Sequence, residues 1–149
     1  MIPKFYKINN PIPFFNILPK EWQNLIVPYW SIFKNSATIY VLKENNTIVA
    51  GGIVFSKNHP HKNEFEISND YLYKLSYFYI GYVWVIPSKR NQQLASKWLL
   101  SLKTKHPKQK YWLTIEEFSL ASFYKKNGFE LLKESSNPFL KEWLLTYIP

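Results

Sequence analysis

The feature that most constrains the fold is an apolar run at residues 77–86, which stops at Pro87 and is followed by a helical pattern and a second apolar run. The first run is rich in aromatic and β-branched residues, as is typical of a buried strand. Apolar residues then recur on one helical face over residues 91–105, and residues 111–115 predict another strand. A strand-helix-strand unit of this kind implies two parallel strands joined by a right-handed crossover.

The rest of the chain adds runs typical of antiparallel strands. Residues 38–42 and 47–55 are separated by four polar residues and predict a hairpin, in which Gly51-Gly52 indicates a bulge or a close approach of another backbone. The polar residues 56–70 predict a mobile loop. The remaining predicted elements are a strand at 4–8, helices after Pro19, a short helix at 119–126 and strands at 129–132 and 143–147. We therefore expect one mixed α/β domain over residues 1–149.

The composition excludes several kinds of site. The chain has no cysteine, so it has no disulfide, no thiolate metal site and no cysteine nucleophile. Its histidines are His59, His61 and His106, and the first two flank Pro60 in a polar stretch without a third ligand at metal spacing. We expect His59 and His61 to be surface loop residues, and we expect no metal site.

The formal net charge of +9 favours an anionic partner, which could be a nucleic acid, an acidic surface or a phosphate-rich cofactor. The aromatic residues mostly follow strand and helix core periodicity, which argues against a nucleic-acid interface. No window approaches the ~18 consecutive apolar residues of a membrane helix, and the first residues begin no signal-peptide pattern. These features predict a cytoplasmic protein without a membrane partner.

The turn between the long strand and its helix has the chemistry of a phosphate site. The free N–H groups of a helix start point along the helix axis, and the positive end of the helix dipole adds to them. Lys89 and Arg90 lie in this turn and would add positive charge beside those donors. A routine helix start after a strand is the alternative interpretation.

Two motifs in this region resemble the Gcn5-related N-acetyltransferase (GNAT) family. The stretch from Val83 to Leu100 is similar to the family's acetyl-CoA motif, (Q/R)-x-x-G-x-(G/A), with Arg90 at the first position and Ala95 at the last. Gln93 stands where the family has the middle glycine. Downstream, residues 123–129 (Phe-Tyr-Lys-Lys-Asn-Gly-Phe) resemble the family's Y-x-x-x-G-F ending.

The resemblance implies a fold and a set of roles. The fold would be a twisted mixed sheet of six to seven strands with helices on both faces and a central strand-loop-helix site for acetyl-CoA. The backbone groups of Val83 and Val85 would contact the pantetheine arm, and Tyr124 would be the general acid that protonates the departing thiolate. The phosphate-binding residues that the resemblance implies are Arg90, Asn91, Gln92, Gln93, Ala95 and Ser96. Each of these residues also has an ordinary structural interpretation as sheet core, helix start or amphipathic-helix packing.

The amine acceptor of such a reaction must lose a proton, usually to a carboxylate. Glu116 and Glu117 follow the strand at 111–115, and Glu116 is our candidate for the base. Glu64, Glu66 and Asp70 precede the long strand and could attract a cationic acceptor. A solvated carboxylate is the alternative interpretation for all of them.

The sequence therefore predicts an acyltransferase that moves an acetyl group from acetyl-CoA directly to an amine on a small molecule, protein or peptide. A GNAT-fold module that binds CoA or another ligand without catalysis is the first alternative, since fold does not fix function. A basic nucleic-acid-binding protein is the second alternative. The sequence leaves open the identity of the acceptor and whether the chain forms a homodimer.

Overall fold

The structure, a computed structural model, describes residues 2–149. Within these residues a single sheet is formed by seven strands: β1 (Lys4–Ile8), β2 (Ala37–Glu44), β3 (Thr47–Phe55), β4 (Tyr77–Val85), β5 (Lys110–Ile115), β6 (Glu130–Glu134) and β7 (Trp143–Tyr147). Their spatial order is β1-β2-β3-β4-β5-β7-β6. Only β4 and β5 pair in parallel among the described strands. The predicted crossover is thus confirmed.

Helices cover both faces of the sheet, as the resemblance implies. They are α1 (Ile12–Phe15), α2 (Lys20–Ile26), α3 (Trp30–Phe33), α4 (Glu64–Asn69), α5 (Leu94–Lys105) and α6 (Ala121–Lys126), with short 3-10 turns between several of them. No helix of residues 2–149 is long and apolar enough to cross a bilayer.

The sheet separates two hydrophobic cores, and alternate side chains of β2 point into one or the other. Ile39 and Val41 point to the core that contains Phe14 of α1 and Ile26 of α2. The intervening Tyr40 and Leu42 point to the opposite core, which α5 and α6 complete; its helical members are Leu94, Trp98, Leu99, Leu102 and Ala121. Because successive side chains of a strand point to opposite faces, one hydrophobic run serves both layers.

The parallel strands β4 and β5 stay together for only part of their length. Tyr77, Phe78 and Tyr79 pair with Lys110, Tyr111 and Trp112, and the pairing then ends. Beyond this point β5 continues beside β7 on its other side, up to the pair Ile115↔Trp143. The sheet therefore opens between the later half of β4 and the end of β5, and this gap positions the candidate site.

The predicted irregularity at Gly51-Gly52 lies in the expected place, but the partner strand carries the extra residue. Gly51 pairs with Trp84 and Ile53 with Gly81, so β4 has one residue more than β3 between these pairs. Tyr82 in this bulge has a φ of 58°. The bend turns the end of β4 away from a regular ladder, as bulges do.

The segment at residues 56–70 is not the plain loop that its polarity predicts. It contains α4, whose N-cap Asn63 accepts a hydrogen bond from the N–H of Glu66, while the Glu66 side chain accepts one from the N–H of Asn63. Asn63-x-x-Glu66 is a capping-box pattern that the sequence does display. His59, which we expected at the surface, is only 4% exposed. The hydrogen-bonded pair with Glu66 compensates the burial of both polar groups.

Candidate functional site: two clefts that meet at Tyr124

The turn after β4 leaves several backbone N–H groups without a helical partner. The first backbone bond of α5 runs from the N–H of Lys97 to the carbonyl of Gln93, so the N–H groups of Leu94, Ala95 and Ser96 have no acceptor within the helix. No described side chain caps this end. The helix begins three residues later than predicted, because the turn continues to Gln93. Such an end can receive an anion.

The backbone of this turn takes an unusual conformation at two residues. Asn91 has a φ of 64° and Gln93 a φ of 59°, both in the left-handed region. Glycine adopts this region at no steric cost, which explains why the similar family motif carries glycine where Gln93 stands. Gln93 keeps the backbone shape of a glycine position, at a cost of about 1–2 kcal/mol for a residue with a Cβ.

The later half of β4 presents backbone polar groups to the open gap. The N–H of Ile86 donates to the carbonyl of Val49 on β3 at 3.0 Å. Because the groups of an antiparallel strand alternate in direction, the N–H and C=O groups of Val85 face away from β3, toward the side that β5 has left. Val83 lies in the bulge, where the alternation is interrupted. The N–H of Val85 can pair with an extended ligand that carries amides of its own, while its carbonyl accepts a hydrogen bond from Arg90 Nε.

A cleft of about 790 Å³ lies between β4, α5 and α6, and we call it the cofactor cleft. Most of the predicted site residues line it together: Val83, Val85, Arg90, Asn91, Gln93, Ala95, Ser96 and Tyr124. Gln92 is exposed on the turn and does not line the cleft. Glu116 also lies elsewhere, as described below. The tertiary structure thus brings together eight residues that the sequence spreads over β4, the turn after it, α5 and α6.

The basic residues of this turn already have partners within the chain. The Arg90 guanidinium lies 4.5 Å from the centre of the Trp84 ring, and its Nε donates to the carbonyl of Val85 at 3.1 Å. The Lys89 ammonium lies 2.8 Å from a carboxylate oxygen of Glu44. Lys126 of α6 also lines the cleft. The positive charge predicted for the turn is therefore present, with Lys89 held by an ion pair.

The C-terminal end of α6 fixes the position of Tyr124. The N–H of Phe129 donates to the carbonyl of Tyr124, and the N–H of Gly128 donates to that of Lys125, both within 3.1 Å. Gly128 has a φ of 89°, so this is a Schellman C-cap, and Phe129 is buried beside it. Burial raises the pKa of the Tyr124 phenol to about 12. The Y-x-x-x-G-F pattern is thus a helix stop that holds a protonated phenol in the cleft.

A second cleft of about 480 Å³ opens where β4 and β5 part, and we call it the acceptor cleft. It shares Val83, Leu120 and Tyr124 with the cofactor cleft, so the two clefts meet at these residues. Four carboxylates line it, those of Glu66, Glu116, Glu117 and Glu142. Among the described residues that line it there is no lysine or arginine. Glu116 and Glu117 are exposed.

Sequence reasoning missed a buried polar cluster below this cleft. Glu66 Oε2 accepts hydrogen bonds from Tyr79 at 3.0 Å and Thr114 at 2.8 Å, and it lies 3.4 Å from His59 Nε2. Burial acts to raise the pKa of Glu66, but the hydrogen bonds from His59, Thr114 and Tyr79 outweigh it and keep that pKa below its ordinary value. Burial lowers the pKa of His59. The capping-box pattern was the one available sequence signal.

Glu142 is the other carboxylate that the sequence did not indicate. It is 2% exposed and accepts a hydrogen bond from Asn63 Nδ2 at 2.6 Å. It lies in the segment between β6 and β7, which carries no recognisable motif. No group of three or more potential metal ligands occurs among residues 2–149.

Comparison with known proteins gives a consistent result. The model of the acetyltransferase (GNAT) family matches residues 2–129. A probable acetyltransferase from Staphylococcus epidermidis shares 13% identity and superposes with a TM-score of 0.72 over 99% of each chain. A GNAT family acetyltransferase from Elizabethkingia anophelis, solved with acetyl-CoA bound, shares 17% identity with a TM-score of 0.63, over 99% of this chain and 98% of that one.

A Bacillus subtilis acetyltransferase in complex with CoA shares 11% identity with a TM-score of 0.62 over 99% of each chain. At these identities the structural likeness shows the fold alone. A search of curated protein sequences finds no match. The family model covers well over half of the chain. The chain therefore belongs to the GNAT acetyltransferase family.

Proposed function

We propose that this protein transfers an acetyl group from acetyl-CoA directly to an amine. The observation that carries the proposal is the meeting of the two clefts at Tyr124 and Val83. A thioester bound in one cleft and an amine bound in the other would reach each other there without a covalent enzyme intermediate. Holding both reactants in one geometry removes much of the entropic part of the barrier.

The cofactor cleft fits the parts of CoA. The free N–H groups at the start of α5, with the turn residues Asn91 and Gln93 before them, would hold the pyrophosphate. Arg90 and Lys126 would add positive charge. The backbone groups of Val83 and Val85 would pair with the amides of the pantetheine arm. The acetyl-CoA and CoA named for the Elizabethkingia and Bacillus structures agree with this assignment.

Three kinds of group around the gap would carry out the transfer: the backbone of β4, the phenol of Tyr124 and a carboxylate. Backbone N–H groups of β4 would polarise the thioester carbonyl as the amine attacks its carbon. The C–S bond then breaks, and Tyr124 would protonate the sulfur. A phenol with a pKa of about 12 stays protonated until the thiolate, with an ordinary pKa of ~8.5, develops. A carboxylate of the acceptor cleft would take the proton of the amine, and Glu116 is the one that the sequence predicts.

The acceptor cleft favours a cationic amine. Its carboxylates attract an ammonium group, while a substrate carboxylate would find no described lysine or arginine in the lining. The amine can belong to a small molecule or to a protein or peptide side chain that enters the gap. In each case the charge of the lining selects for positive and against negative groups near the reacting nitrogen.

Replacement of Tyr124 by Phe tests the proposal. We expect Tyr124→Phe to bind CoA with unchanged affinity in calorimetry and to lose about 10²-fold or more in kcat, measured as thiol release, because the general acid is gone. Tyr6→Phe on the exposed edge strand is the matched control and should behave as the wild type.

The alternatives give different results in the same experiments. CoA binding without turnover in the wild type, over a panel of primary amines, would favour a non-catalytic CoA-binding module. A wild-type protein that binds no CoA would overturn the proposed transferase outright. Normal turnover in Tyr124→Phe would remove Tyr124 from the mechanism while leaving the transferase in place.

A further inference from the structure

The carboxylate best placed to act as the base is one that the sequence did not indicate. Glu142 immediately precedes β7, and the pair Ile115↔Trp143 brings it beside Glu116 at the end of β5. The carbonyl of Glu142 accepts a hydrogen bond from the N–H of Ser135 at 2.8 Å, which fixes its backbone. Glu142 lines the acceptor cleft together with its hydrogen-bond partner Asn63, although it is 2% exposed. Glu142 is therefore a carboxylate held in a fixed position at the acceptor cleft.

The surroundings of Glu142 favour its protonated form. Burial raises the pKa of the Glu142 carboxyl, and the negative charges of Glu66 on α4 and Glu116 after β5 add to the rise. The hydrogen bond from Asn63 acts in the opposite direction and does not cancel it. A carboxylate with a raised pKa is a stronger base than an ordinary one, so it accepts a proton from an ammonium group at a smaller cost.

The other carboxylates of the cleft are less suited to this role. Glu66 Oε2 is occupied by donors from Tyr79 and Thr114 and faces His59, and the pKa of Glu66 is lowered. Glu66 therefore acts as a fixed structural anion. Glu116 and Glu117 are exposed to solvent, where their charge is screened and their side chains are not held. Glu142 alone of the four is both buried and shifted toward protonation.

Resting on the proposed transferase activity, we propose that Glu142 takes the proton from the acceptor amine, directly or through one water molecule. The acceptor arrives as an ammonium ion, and one of its protons passes to Glu142 and then to solvent. The neutral amine forms the N–C bond, the C–S bond breaks with its electron pair on sulfur, and Tyr124 protonates the sulfur. The nitrogen then releases a second proton, which replaces the one that Tyr124 gave.

This assignment puts the acid and the base on opposite sides of the sheet. Tyr124 packs with the core that α5 and α6 complete. Asn63, the hydrogen-bond partner of Glu142, is the N-cap of α4. The amine approaches the acyl carbon from one direction and the sulfur leaves it in another. A base on one side and an acid on the other therefore suit the two proton transfers.

The test compares Glu142→Gln, Glu142→Asp and Glu116→Gln in thiol release from acetyl-CoA, with spermidine and a lysine-containing peptide as probe amines. Glu142→Gln keeps an oxygen for the hydrogen bond from Asn63 and should bind CoA with wild-type affinity. We expect its kcat to fall by about 10²-fold at pH 7 and to recover toward wild type as the pH approaches the amine pKa, where no base is needed. Glu142→Asp should retain part of the activity. Glu130→Gln, exposed at the start of the edge strand β6, is the control and should match the wild type.

Several outcomes would overturn the assignment. These are a Glu142→Gln kcat within threefold of wild type, a loss that is the same at every pH, or the pH-dependent loss appearing in Glu116→Gln instead. A wild type that binds CoA but turns over neither probe amine counts against the proposed transferase rather than against Glu142. The two failures are thus distinguishable.

A second measurement tests Glu142 without any acceptor. Carbon-13 spectra of glutamate-labelled protein, compared between wild type and Glu142→Gln, identify the Glu142 carboxyl resonance. We expect its titration midpoint to lie above the ordinary value of a glutamate carboxyl, since burial raises the pKa of Glu142. A Glu142 midpoint at or below that ordinary value would remove the physical basis for the proposal, whatever the activity.

Discussion

At the scale of single residues, Gln93 adopts a left-handed backbone conformation that favours glycine. The turn before α5 needs a left-handed residue at this position, and the chain supplies one with a φ of 59° despite the Cβ. The side chain is exposed and does not serve as a cap. The rest of the fold therefore compensates the backbone strain at Gln93. The N–H groups of Leu94, Ala95 and Ser96 remain available to a ligand.

Replacement of Gln93 by glycine should therefore stabilise the protein. Relief of the left-handed strain, less the greater freedom of glycine in the unfolded chain, gives an expected gain of about 0.5–1 kcal/mol in the free energy of unfolding. Urea denaturation measures it. Gln92→Gly is the matched control, since Gln92 has no positive φ, and it should be neutral or destabilising. A loss of stability in Gln93→Gly would show that the Gln93 side chain makes a contribution that outweighs its strain.

At the scale of elements, the packing of α5 on the sheet depends on glycine at position 52. A Cβ on Gly52 would lie 2.7 Å from Trp98 Cζ2 and 3.2 Å from Val83 Cγ2. Trp98 cannot easily move away, because its ring is fully buried and its Nε1 donates to the carbonyl of Tyr40 at 2.9 Å. The same close approach brings α5 against β3 and β4, which forms one wall of the cofactor cleft.

Gly52→Ala should consequently destabilise the protein by about 1–3 kcal/mol, the usual cost of overpacking a core. The free energy of unfolding in urea is the measurement. Gly81→Ala, on the neighbouring strand, is the control; its nearest atom would be Tyr79 Cε1 at 3.1 Å, and it should cost less. Equal stabilities of Gly52→Ala and wild type would mean that α5 can shift without loss, contrary to this description.

At the scale of the whole molecule, the cluster around His59 joins α4 to β4 and β5 and links stability to pH. His59 stacks on Tyr79 at 3.6 Å between ring centres, and its Nδ1 lies 2.6 Å from the Tyr73 hydroxyl. Burial lowers its pKa, with Lys62 acting in the same direction and Glu66 and Asp70 opposing it. The unfolded chain, with an ordinary histidine pKa of ~6.5, therefore binds more protons than the folded one below that pH.

The protein should lose stability as the pH falls from 7.5 to 5.5, because the contribution of neutral His59 is complete only above the unfolded pKa. We expect a smaller loss in His59→Gln than in wild type, measured as the difference in urea midpoint between the two pH values. Comparison of the two proteins cancels the opposite contribution of Glu142, whose pKa is raised. His61→Asn, at an exposed position, should keep the wild-type difference. An equal pH effect in His59→Gln and wild type would contradict a neutral, buried His59.

Local sequence patterns predicted much of the fold. The strands, the crossover helix and the helix stop at Gly128 follow from periodicity and from residues whose backbone preferences are strong, and their predicted bounds differ from the observed ones by a few residues. The segment at 56–70 was different, because its polar composition hid a capping box whose carboxylate and histidine are buried. Composition alone does not reveal a polar group that is compensated by partners distant in sequence, such as Tyr79 and Thr114.

The sequence by itself determined the order of the seven strands and the crossover helix along the chain, the family resemblance and the two segments that form the cofactor cleft, because each of these depends on residues close together along the chain. The tertiary structure alone decided where β4 and β5 part, and which side chains the gap receives from either face. Glu142 is brought there by the pairing of β7 with β5, and Tyr124 by the cap at the end of α6. Long-range pairing sets these positions, and no local pattern encodes it.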